Sequence, residues 1–67
     1  MPRTDSLSLF KALANPTRLR LLNLLADEPA CVEELASALD LAPSTVSHHL
    51  KTLTRAGMVE ARRVQYY

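Results

Sequence analysis

The chain has 67 residues with eight Lys and Arg against seven Asp and Glu, a formal net charge of +1, 48% hydrophobic residues and a single glycine. So short a chain buries only about 60% of the surface its unfolded form exposes, so one marginally stable domain over residues 1–67, helped by a partner subunit, is expected. Leucine and alanine favour helices over sheets, one cysteine excludes an intrachain disulfide, and the lack of a signal-peptide core or of ~18 consecutive apolar residues points to a cytoplasmic protein.

Asp5 or Ser6 can cap a first helix running to about Ala14, with Leu9, Phe10 and Leu13 on one stripe and Leu7 nearby. Phe10, the only phenylalanine, is read as a packing anchor. Asn15-Pro16 is a cap followed by a proline suited to a first helical position, and opens a second helix from Pro16 to about Ala26. Leucines fall on most of its sides, so it should be the most buried element, with Arg18 and Arg20 reaching outward. Asp27-Glu28-Pro29 stops it, and Ala30-Cys31-Val32 reads as a short extended link.

A third helix covers about Val32 to Leu39, with Val32, Leu35, Ala36 and Leu39 at helical spacing and Glu33 and Glu34 outside. Asp40-Leu41-Ala42 then makes a tight turn into a fourth helix. Pro43 holds its start, because Ala42 has no side chain able to cap it. Val46, Leu50 and Leu53 keep one side of this helix toward a core. At about 100° per residue, the outward side gathers Ser44, His48, Lys51 and Arg55, flanked by Thr45, Ser47 and Thr52. That face holds hydroxyls, an imidazole and two cations, and no carboxylate. It suits a polyanion whose groove edges offer donors and acceptors, although a solvated helix face has the same make-up.

Arg55-Ala56-Gly57 ends the fourth helix with a cation in the last turn and a glycine for the left-handed position after it. The β-branched and aromatic residues of Met58–Tyr67, with Arg62 and Arg63 adjacent, read as the first strand of a hairpin with a basic tip. Two helices joined by about three residues, the second with a polar face, make a helix-turn-helix, and the basic hairpin makes it a winged helix. Charge agrees with this arrangement. Residues 1–40 carry four cations and six anions, a net of −2, whereas residues 41–67 carry four cations and Glu60 alone, a net of +3. Such an asymmetry is the electrostatic footprint of a nucleic-acid binder.

Catalytic readings find little support. His48 and His49 are neighbours whose side chains diverge on a helix and cannot close on one ion as an i, i+4 pair does. Ser44 and Ser47 have no base at triad geometry, and a chain whose only glycine is Gly57 has no phosphate-binding glycine loop. The expectation is that the protein is not an enzyme. His49 lies beside the Val46–Leu50 stripe and is read as a half-buried packing residue.

The stretch Phe10-Lys11-Ala12-Leu13-Ala14-Asn15-Pro16-Thr17-Arg18-Leu19, together with Ser44-Thr45-Val46-Ser47-His48-His49-Leu50, Leu53, Ala56-Gly57-Met58-Val59 and Arg62-Arg63, resembles the ArsR/SmtB family of bacterial transcriptional repressors. The resemblance runs from about Phe10 to Arg63. It implies a mainly α winged helix-turn-helix of about four helices and a basic β-hairpin, acting as a homodimer on a palindromic operator in double-stranded DNA and leaving it when a metal ion or other inducer binds. By position it implies that Ser44, Thr45, Ser47 and His48 reach base edges or phosphates in the major groove. Lys51, Arg55, Arg62 and Arg63 would make phosphate or minor-groove contacts.

Many family members carry Cys-Val-Cys at the start of the third helix, where thiolates bind soft metals or arsenite; here the residues are Cys31-Val32-Glu33. Cys31 is the one candidate metal ligand, for a thiophilic ion of the arsenite, zinc or cadmium class, but a lone cysteine cannot make the three-sulfur site such ions prefer. It is read first as a small hydrophobe. The chain stops at Tyr67, expected to fall before the returning wing strand and the family's final dimerisation helix, which would leave dimerisation to the first helix. A winged-helix module that docks a protein, with little DNA affinity, is the alternative reading.

Overall fold

A computed structural model describes residues 6–62 and 65–66. Its elements in order are α1 (Ser6–Leu13), α2 (Pro16–Asp27), β1 (Ala30–Cys31), α3 (Val32–Leu39), α4 (Pro43–Arg55), β2 (Ala61–Arg62) and β3 (Gln65–Tyr66). The mainly helical winged helix-turn-helix expected from the sequence is the fold observed. Each helix starts and stops for local reasons. The Asn15 side chain accepts from the Arg18 backbone N–H at 3.1 Å, with Pro16 next in line, and this opens α2. Asp40 ends α3 in the left-handed region at φ 56°, which a short polar side chain tolerates, and the Leu41 N–H reaches back to the Ala36 carbonyl at 3.0 Å. Gly57, at φ 77°, ends α4 in the same way, with the Met58 N–H on the Leu53 carbonyl at 3.0 Å.

The core is built on α4. Val46, Leu50 and Leu53 are fully buried and meet Leu21 and Leu25 of α2, Leu35 and Ala36 of α3, Ala12 of α1, and Ala56 and Val59. This corrects the expectation that α2 is the most buried element: only Leu21 and Leu25 of its leucines are buried, and Leu19 and Leu24 are exposed. A leucine on every side of a helix records composition, whereas burial depends on which sides have neighbours. Phe10 is likewise no anchor within the chain. It is 70% exposed, beside exposed Leu7 and Leu13, because among the described residues Ala12 is the one that α1 sends into the core.

The wing departs from expectation in two ways. Tyr66 lies in a returning strand that pairs antiparallel with β2, Ala61 opposite Tyr66 and Arg62 opposite Gln65. Ala30-Cys31, read as a link, is a third strand pairing with β3, Ala30 opposite Tyr66 and Cys31 opposite Gln65. The sheet order β1-β3-β2 therefore ties the wing to the start of α3, with Tyr66 packed partly against the core.

Candidate nucleic-acid interface

The three buried residues of α4 turn its opposite side to solvent. Ser44, Thr45, His48, Lys51 and Arg55 are exposed there, and Ser47 and Thr52 are half-buried at its edges. Ser44, Thr45, Ser47 and His48 occupy the N-terminal half of the helix; Lys51, Thr52 and Arg55 occupy the C-terminal half. Thr52 and Thr54 donate to the His48 and Leu50 carbonyls at 3.3 and 2.7 Å, so both hydroxyl protons are engaged by the helix itself. No acidic residue lies on α4.

On one flank of α4 a cleft of about 250 Å³ separates it from the wing, lined by Lys51, Thr54, Arg55, Ala61 and Tyr66. Arg62 of the wing is exposed and ion-paired, its Nε 2.7 Å from the Glu60 carboxylate, so the only acidic residue of the basic half is engaged by one of its cations. Arg63 lies outside the described residues.

Arg18, expected to reach outward, does the opposite. Its Nε and Nη2 donate to the carbonyls of Ala12 and Lys11, each at 2.9 Å, and pin the C-terminal end of α1. Those carbonyls are acceptors that a helix end leaves unsatisfied, and a cation there also opposes the negative end of the helix dipole. Sequence reading missed this because the partner carbonyls belong to another helix and leave no periodic signal. His49 is half-buried, as expected, and its Nδ1 finds no hydrogen-bond partner among the described residues. Burial pushes the imidazole below its ordinary pKa, and the neighbouring Arg18 and His48 add to the shift.

Cys31 stands at the N-cap of α3, half-buried, with its backbone N–H donating to the Glu34 carboxylate at 2.9 Å. A backbone hydrogen bond from Glu34 favours the thiolate, but the Glu34 side chain, partial burial and the charges of Glu34 and Glu33 outweigh it, and the thiol is raised above its ordinary pKa. Among the described residues no three His, Cys, Asp or Glu side chains gather as metal ligands. A soft ion prefers a set of thiolates, and Cys31, the one cysteine of the sequence, offers a single sulfur there.

A polar, carboxylate-free helix presented from a helix-turn-helix, with a three-stranded wing beside it, defines a winged-helix protein of the DNA-binding type. The chain belongs to the arsR family of bacterial regulatory proteins, whose sequence pattern matches residues 15–61. It is 47% identical over 55 residues to a homolog of the transcriptional repressor SmtB from Synechocystis sp., a match covering 82% of this chain and 42% of that protein. The putative arsenical resistance operon repressor ArsR of Halobacterium salinarum is 42% identical over 57 residues, covering 82% of this chain and 44% of that protein. The solved structure of HlyU from Vibrio cholerae superposes with a TM-score of 0.84 at 42% identity, covering 91% of this chain and 71% of that one. HlyU is named a transcriptional activator. The chain spans about half the length of the curated relatives it matches. These relatives are regulators of transcription, not enzymes.

Proposed function

We propose that residues 1–67 act as one winged helix-turn-helix unit that binds double-stranded DNA in the cytoplasm as part of a transcriptional repressor, and that two copies sit on the half-sites of a palindromic operator. The carboxylate-free outward face of α4 carries this reading. Its N-terminal half brings Ser44, Thr45, Ser47 and His48 to base edges or phosphates, in keeping with the way recognition helices enter the major groove. Lys51 and Arg55 neutralise phosphates, and Arg62 and Arg63 extend the same role onto the wing. The exposed apolar stripe Leu7, Phe10 and Leu13 supports self-association through α1, since burying it removes apolar surface from water.

The likeness to an arsenical resistance operon repressor supports metalloid sensing. Cys31 itself is read as a small apolar residue held by β1 and the start of α3. For a thiophilic ion acting as inducer, Cys31 is the one candidate ligand in the sequence.

Fluorescence anisotropy of labelled palindromic and scrambled duplexes, titrated at several salt concentrations alongside sedimentation mass, tests the reading. Lys51→Ala should lower affinity for both duplexes alike and flatten the log–log salt slope by about 0.9 for each subunit bound, the value of one phosphate contact. His48→Ala should instead narrow the palindromic-to-scrambled ratio, by about tenfold if one base contact of mid-range strength is lost. Salt-insensitive or undetectable binding at moderate salt would overturn the proposal and leave a protein-docking module.

A further inference from the structure

Arg55 is a wall of two clefts. One is the gap between α4 and the wing described above. The other, about 200 Å³, opens on the opposite flank of α4 and is lined by Lys11, Ala12, Thr52, Arg55 and Ala56. Its two alanines are buried and small, so its floor is low. Its charged walls are both cations, and they come from different helices, Lys11 from the last turn of α1 and Arg55 from the last turn of α4. Among the described residues no carboxylate lines it. The Thr52 hydroxyl is turned to the His48 carbonyl, so Lys11 and Arg55 supply its side-chain donors.

A helix C-terminus ordinarily repels an anion, because its last carbonyls point outward with partial negative charge. Here the carbonyls of Lys11 and Ala12 are occupied by the Arg18 guanidinium. That contact removes the repulsion and holds Lys11 on the same flank as Arg55. Two cations facing one shallow cleft repel each other and are relieved by an anion between them. Arg55 also belongs to the outward face of α4, so the anion in the cleft continues the row that Lys51 and Arg55 begin.

We propose that Lys11 and Arg55 together hold one phosphate of the DNA backbone in this cleft, making α1 part of the DNA-binding surface on the side of α4 away from the wing. Arg18 acts as the positioning residue for Lys11. The proposal rests on the DNA-binding reading of α4 and adds a residue that the sequence places in the acidic half of the chain.

The test compares the wild-type chain with Lys11→Ala, Lys11→Arg and the charge control Arg20→Ala, whose side chain is exposed on α2, in the same salt-dependent anisotropy measurement. Lys11→Ala is expected to lose affinity equally on palindromic and scrambled duplexes, with the salt slope reduced by about 0.9 for each subunit bound. Lys11→Arg should keep the wild-type slope, and Arg20→Ala should leave it unchanged. A Lys11→Ala slope equal to wild type, or a loss matched by Arg20→Ala, would overturn the proposal while leaving DNA binding by α4 intact. Undetectable binding by the wild-type chain would instead overturn the DNA reading and the proposal with it. Inorganic phosphate titrated without DNA, followed by the Ala12 and Ala56 amide resonances, gives a second arm. Saturation below millimolar phosphate would mark a site for a free anion and also overturn the proposal.

Discussion

His49 shows how one buried atom sets a pH dependence. Its folded pKa lies below the ordinary value of about 6.5, so between the two values the unfolded chain binds a proton that the native chain does not. The associated stability is fully present above the unfolded pKa and is lost as pH falls through the folded one. The melting temperature should therefore hold from pH 8 to 7 and decline below about 6.5, and His49→Gln should decline less. Identical pH profiles for the two proteins would show that His49 is not the cause. Glu34, whose carboxylate is held below its usual range by accepting from Cys31, contributes its own loss only at lower pH, so the two are separable. The half-buried position of His49 was legible in the sequence, because it follows from the angle to Val46 and Leu50. Its shifted pKa was not, because part of it comes from Arg18 on a different helix.

At the level of elements, the contact between α1 and α2 depends on Arg18. Arg18→Met keeps the length of the side chain and deletes both bonds to the carbonyls of Lys11 and Ala12. For a half-buried guanidinium the cost should be about 1–2 kcal/mol in denaturant unfolding, with α1 amides exchanging faster than those of α4. Unchanged stability and exchange would show that apolar packing alone holds α1. The boundaries of α3 and α4 were readable because caps, prolines and apolar spacing are local signals. The strands were harder. β1 is two residues long and pairs with Gln65 and Tyr66 far along the chain, so Ala30-Cys31 carries no periodicity of its own. The returning strand went unread for the same reason, since two-residue strands such as β2 and β3 are defined by their register.

For the whole molecule, stability rests on a few side chains. A 67-residue domain has about 3–10 kcal/mol in total, and truncating a fully buried leucine costs about 2–5 kcal/mol. Leu50→Ala should thus remove most of the cooperative melting transition seen by circular dichroism, whereas Phe10→Ala, at a 70% exposed position, should leave it at low protein concentration and lower the sedimentation mass. A cooperative Leu50→Ala transition near the wild-type temperature would mean the core lies elsewhere. By itself the sequence determined the four helices, the face of α4 turned outward and the charge asymmetry, because these follow from residue spacing and composition along the chain. Only the tertiary structure decided that α1 leaves Phe10 in solvent, that β1 joins the wing, and that Arg18 brings Lys11 beside Arg55. Each of these depends on which surfaces meet across the fold, and a periodic pattern in one segment carries no record of the partner it will pack against.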